Sequence, residues 1–170
     1  MKLVKPSKAL EQAYVDYIME WENAGEKIVP YASGRYGLAF DELLNKWQED
    51  ETEKAYEKGF VPASLYFLID EKEKIVGSVH IRHELNERLL FCGGHIGYGV
   101  RPSERRKGYA STMLSLSLSL AKKLGVNKAL VTCGKSNLAS ALTIQKNGGI
   151  LDNEVMHESN LVQRYWINLD

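Results

Sequence analysis

Two cysteines, four prolines and no apolar run near the roughly 20 residues that span a bilayer already exclude several kinds of protein. Cys92 and Cys133 are too few for a disulfide framework and lack the spacing of a metal site, so both read as buried thiols and no metal is expected. An excess of either charge is also missing. Lys+Arg and Asp+Glu balance at 22 each, which gives no reason to expect a nucleic acid or an acidic membrane as partner. The opening stretch 1–6 has no apolar leader core, and the expected location is cytoplasmic. No repeat, low-complexity segment or linker interrupts the 170 residues, a length suited to one domain burying roughly two thirds of its unfolded surface.

Periodic apolar residues are plentiful. Leu10, Tyr14, Tyr17, Ile18 and Trp21 form one stripe of a helix that Ser7 can cap and Gly25 can end. Phe40, Leu43, Leu44 and Trp47 repeat the period after a loop at 30–37. Segments 64–69 and 75–82 read as a hairpin around the charged turn 70–74, and 86–88 as a further turn before a strand at 95–100. The run Leu114-Ser-Leu-Ser-Leu-Ser-Leu120 imitates a strand by alternating. Over a longer window Ala110, Met113, Leu114, Ser117, Leu118, Ala121 and Leu124 make a helical face that Gly125 terminates. A strand at 128–133, a helix at 137–146 with Leu138, Ala141 and Leu142 facing inward, and closing strands at 150–156 and 161–167 complete an α/β layout.

The most informative stretch is Arg105-Arg106-Lys107-Gly108-Tyr109-Ala110, which joins the strand at 95–100 to the long helix. The first amides of a helix have no partner within it, and the helix dipole adds partial positive charge there. Such a turn takes anions. Gly108 lets the backbone approach a ligand without a Cβ, and charge-assisted bonds to phosphate contribute roughly 1.5–3 kcal/mol each. A nucleotide-binding reading of the same turn lacks the Gly-x-x-x-x-Gly-Lys-Ser/Thr pattern.

Read as Arg-x-x-Gly-x-Ala, this turn resembles the pyrophosphate loop of the GNAT superfamily of N-acetyltransferases. Gly97-Tyr98-Gly99-Val100-Arg101-Pro102 resembles that family's fourth strand, and Asn137 through Gly148-Gly149 is similar to its Asn-x-x-Ala…Gly-Phe segment. The resemblance covers about the C-terminal half of the chain. It implies an α/β, or mixed α+β, fold whose mostly antiparallel sheet has splayed central strands flanked by helices. One domain would fill 1–170, with N-terminal helices at 8–58 shaping the acceptor site and a CoA-binding core at 64–168. It also implies an enzyme that transfers acetyl from acetyl-CoA to a primary amine, of a small molecule or an exposed peptide or protein, by direct attack in a ternary complex. The alternative is a non-catalytic acyl-CoA sensor.

By the same resemblance, Tyr98, Gly99 and Val100 hold the pantetheine arm, and Arg105, Arg106, Lys107, Gly108, Tyr109, Ala110 and Ser111 hold the pyrophosphate. Asn137 and Ser140 complete the cofactor set, although Asn137 also suits a helix N-cap. His95 is the candidate base, since it lies on the fourth strand where some family members place a histidine or glutamate that accepts the proton through water, and a histidine has a suitable intrinsic pKa; His83 and His80 are its rivals. The histidines lack partners at zinc-site spacing. Ile144 stands where many members carry a tyrosine that protonates the departing thiolate, and Gly149 where an aromatic residue usually follows Gly148. The thiolate then takes its proton from water, from the product ammonium, or from Tyr98 or Tyr109 as the candidate acid. Trp21, Glu22, Tyr31, Arg35, Tyr36 and Trp47 surround the expected acceptor site, with Tyr31, Arg35 and Tyr36 the ones on a loop. The closing strands offer a way to pair as a homodimer.

Overall fold

The computed structural model describes residues 1–169. A short strand β1 (Lys2–Val4) precedes helices α1 (Glu11–Asn23), α2 (Phe40–Glu49) and α3 (Lys54–Glu57). The hairpin β2 (Ala63–Ile69) and β3 (Ile75–Arg82) is followed by the short helix α4 (Glu87–Phe91) and strand β4 (Ile96–Val100). Then come α5 (Tyr109–Lys123), β5 (Lys128–Gly134), α6 (Leu138–Lys146), β6 (Ile150–His157) and β7 (Asn160–Asn168). β1-β2-β3-β4 form one antiparallel sheet and β5-β7-β6 a second.

Alternation along the strands sorts the core into two layers. Leu65, Phe67 and Ile69 face α1 and α2, where Tyr14, Tyr17, Trp21, Phe40, Leu43 and Trp47 are buried. Tyr66, Leu68, Val79 and Ile81 face the other way and pack with Met113, Leu114 and Ala121 of α5. Full burial of such a side chain contributes about 1.5–3 kcal/mol, so both layers are substantial. The alternating leucines of α5 are helical, as the longer period predicts, and Ser117 satisfies its buried hydroxyl by donating to the Met113 carbonyl at 2.6 Å.

The two sheets meet at one point. The amide of His95 donates to the Leu130 carbonyl at 2.7 Å, and the Leu130 amide donates to Nδ1 of His95 at 2.9 Å. Gly94 permits that approach, since a Cβ there would stand 2.9 Å from the Leu130 carbonyl carbon and closer still to its oxygen. Beyond the junction β4 and β5 share no ladder, which leaves a fork between them.

Candidate active site

The bonds that flank the β3–β4 ladder fix which groups face the fork. Arg82 donates to the His95 carbonyl and Arg101 to that of Val76, so odd-numbered residues of β4 bond β3. The amides and carbonyls of Tyr98 and Val100 therefore turn toward β5. At the end of this strand, Gly108 adopts φ +81° and starts α5. Among the described residues the amides of Gly108, Tyr109, Ala110 and Ser111 have no acceptor, and the first bond of the helix is Thr112 to the Gly108 carbonyl at 3.2 Å. These groups line a cavity of ≈ 700 Å³ that continues along β4 to α6, within the size range of ligand clefts.

Tyr98, Gly99, Val100, Arg105, Arg106, Gly108, Tyr109, Ala110, Ser111, Asn137 and Ser140 all line this cavity. Lys107 and His95 do not. Lys107 bonds Glu104 at 2.8 Å, and together with Lys74 it holds that carboxylate below its usual range. Arg105 is also occupied: its guanidinium donates twice to Glu26, at 2.9 and 2.6 Å, and lies 5.3 Å from the Trp21 ring. Arg106, with φ +62°, is left without an ion pair among the described residues. Three successive residues cannot all face one ligand, and of these cations Arg105 and Arg106 line the cavity while Lys107 does not.

Asn137 does cap α6, its Oδ1 accepting the Ser140 amide at 3.1 Å. Among the described residues its side-chain Nδ2 has no acceptor, whereas its backbone amide donates to the Gly134 carbonyl at 2.8 Å. Ser140 and Tyr98 place their hydroxyls 3.0 Å apart. Burial pushes the Tyr98 phenol up to about 12, while the Ser140 bond pulls it the other way, so it keeps its proton across the neutral range.

The contacts of His95 do not suit a base. Its Nδ1 lone pair is taken by the Leu130 amide, which leaves the neutral ring its proton on Nε2, and burial next to Arg82 lowers its pKa to about 4. The rivals stand elsewhere. His83 Nε2 bonds the Ser64 hydroxyl at 2.8 Å, and burial lowers His80 to about 3. Sequence reasoning could not see the Leu130 contact, which exists only because two distant strands cross.

Ile144 is wholly buried in the layer under α5. A Cβ on Gly149 would approach the Ile144 carbonyl oxygen to 2.8 Å. Leu138 and Leu142, expected inward, are 70% and 66% exposed, because α6 turns Ala141 and Ile144 to the core instead. A second cavity of ≈ 280 Å³ lies between α1 and the loop after it, lined by Trp21, Glu22, Glu26, Arg35 and Tyr36 among others. Arg35 is held by Glu22 at 2.9 and 2.6 Å, and the Tyr31 and Tyr36 rings stack at 4.3 Å. Trp21 and Trp47 belong to the core.

The family model described as "Acetyltransferase (GNAT) domain" matches residues 11–150. The chain belongs to the GNAT acetyltransferases. It is thereby an acetyl-CoA-dependent N-acetyltransferase, and its mixed α+β architecture is that of other GNAT structures. Spermidine N-acetyltransferase SpeG from Vibrio cholerae, in a mutant form, aligns with a TM-score of 0.68 at 16% identity, covering 99% of this chain and 95% of that one. A GnaT-family acetyltransferase from Bordetella pertussis aligns at 0.62 with 15% identity, covering 98% and 99%. No curated protein sequence matches the chain. The match to the GNAT family extends over α1 and α2, well beyond the C-terminal half that its motifs first marked. No helix of this GNAT chain among the described residues is long and apolar enough to cross a membrane.

Proposed function

We propose that the cavity along β4 takes acetyl-CoA and that its acetyl group passes directly to a primary amine, of a small molecule or an exposed peptide, within a ternary complex. One observation carries this reading: Gly108 to Ser111, whose amides have no acceptor among the described residues, line the same cavity as Tyr98 and Val100, whose backbone groups turn away from β3 and of which the Val100 carbonyl accepts only the Arg105 side chain at 3.4 Å. The cluster of amides suits a diphosphate, and Arg106, which has no ion pair among the described residues, adds charge to the same wall. The free strand edge suits the amide-bearing pantetheine arm, as does the unspent side-chain amide of Asn137. Acetyl-CoA supplies an activated thioester. The protein supplies the alignment of two reactants, an effect large enough to lower a barrier by about 7–11 kcal/mol in favourable cases.

In this account Tyr98 protonates the departing CoA thiolate, and the proton that the amine nitrogen sheds as the amide forms restores the phenol by way of solvent. Tyr98 and Ser140 both line the cavity, and the Tyr98 hydroxyl stays protonated at neutral pH and lies 3.0 Å from that of Ser140, which orients it. Among the described residues the carboxylates that line the cavity, Glu26 and Glu104, are both ion-paired and so poorly placed to act as base. The acceptor therefore enters as its free amine, and turnover should rise with pH toward the pKa of that amine. Thiol release from acetyl-CoA, measured over amino acids, peptides, polyamines and aminoglycosides, tests the reading. Acceptor-dependent release supports it, and cofactor binding without release on any acceptor contradicts it.

A further inference from the structure

We propose that the amine acceptor carries a carboxylate and that Arg82 receives it beside the fork. The inference rests on the acetyl-transfer reading above and names the acceptor's class. Arg82 ends β3 on the face it shares with Ser78 and His80, and Ser78 marks that face as the α1 side through its 2.8 Å bond to Tyr17. The guanidinium is largely buried, yet only Nη1 is engaged, donating to the carbonyls of Gly93 at 3.1 Å and Gly94 at 3.3 Å. Among the described residues Nε and Nη2 have no acceptor and no carboxylate pairs with the group. Arg35, Arg101, Arg105 and Arg164 each have one.

The position matters as much as the missing partner. A Cβ on Gly97 would stand 3.4 Å from Nη1, 3.6 Å from Nη2 and 3.7 Å from the Pro30 Cβ, so the guanidinium lies directly against this part of β4. Gly97 adjoins Tyr98, which lines the cofactor cavity. The charged groups around the site do not neutralise it. Arg88 adds positive potential, Asp50 just after α2 is tied to Lys46 and Lys58, and Asp152 is tied to Arg164 of β7. Burial and Arg88 lower the Arg82 pKa only to about 10, so it remains a cation at neutral pH.

A desolvated guanidinium with two adjacent donors unspent matches the geometry of a carboxylate, which accepts two parallel N–H bonds. A polyamine brings only positive charge to the same place. An amine whose molecule also bears a carboxylate supplies the missing anion and is held with its nitrogen near the fork.

Matched acceptors test this: amino acids and short peptides against their amides or decarboxylated amines, with spermidine as a polycation. The full chain should prefer the carboxylate member of each pair by about tenfold or more in kcat/KM, as a lost charged contact implies. Arg82→Gln should erase that preference through KM, Arg82→Lys should restore part of it, and acetyl-CoA affinity by calorimetry should match wild type in both. A purely packing role would lower turnover of both members alike. Should Arg82→Gln fail to fold, Arg82→Lys keeps the test, because it retains the charge but loses the fork and should raise KM for the carboxylated member alone. Equal or better turnover of spermidine or the decarboxylated amines, or an unchanged preference in the variants, overturns the acceptor inference and leaves the transfer reading standing. Failure of wild type to bind acetyl-CoA overturns both.

Discussion

Glu26 and Arg105 form a two-bond ion pair in the wall of the cavity along β4, linking the loop after α1 to the turn before α5 across 79 residues of sequence. Glu26 lines the smaller cavity as well. The carboxylate therefore competes with any phosphate for Arg105, and the hydrogen bonds from that guanidinium hold its pKa below the usual range. Glu26→Gln should free the guanidinium and tighten acetyl-CoA binding by about twofold to fivefold, the scale of an exposed pair. The gain should shrink at high salt. Calorimetric titrations at two ionic strengths check this, and weaker binding by the variant would count against it.

Tyr98 stands on the strand, whereas many family members place the proton donor on the helix after the asparagine. Tyr98→Phe should lower kcat by about 10²-fold, the low end for losing general acid catalysis, with acetyl-CoA affinity little changed. Ser140→Ala should have a smaller effect, since it removes only the orienting partner. Because the phenol titrates near 12, wild-type kcat should show no alkaline fall from this group below about pH 11. Pre-steady-state thiol release separates the transfer step from product release. Undiminished transfer by Tyr98→Phe would remove the assignment.

Buried neutral histidines set the acid stability. His95 and His80 have pKa values of about 4 and about 3 in the folded protein, against a reference of 6.5. Above 6.5 both are neutral in either state and their contribution is complete. As pH falls below 6.5 the unfolded chain takes up protons that the native rings refuse, and stability drops by up to ~1.4 kcal/mol per pH unit per histidine. The loss ends only when the native rings protonate. His95→Asn retains an acceptor for the Leu130 amide but does not titrate, so its urea midpoint should fall less steeply than wild type between pH 6.5 and 4.5. Parallel curves would contradict the assignment.

Local pattern made much of the fold legible. The period of Met113, Leu114, Ser117 and Ala121 outweighed the alternating leucines, and the β2–β3 hairpin follows its charged turn. β1 was not legible, because three residues become a strand only by pairing with Phe67 to Ile69. The helix α4, read as a turn, rests on one side-chain cap from Asn86. The face of α6 was misjudged at Leu138 and Leu142, for the helix touches β5 and α5 along a narrow stripe and leaves Leu142 to the cavity. In the candidate site, the glycine turn and Asn137 could be located from their motifs. The engagement of Arg105 by Glu26, the spent lone pair of His95 and the unpaired Arg82 depend on contacts between residues far apart in sequence. Ile144 and Gly149 each depart from the family pattern, and only their contact shows that the two departures accompany one another.

The central claim is that unpaired amides after Gly108 grip the diphosphate of acetyl-CoA. A Cβ at Gly108 meets nothing within 4 Å, so a side chain there burdens the ligand more than the protein, apart from the strain of φ +81°. Calorimetric titration of acetyl-CoA into wild type, Gly108→Ala and Gly108→Asp is the most direct test. The account predicts that Asp weakens binding by more than about tenfold and Ala by much less, since a carboxylate faces the phosphates. Equal affinity for wild type and Gly108→Asp would contradict it.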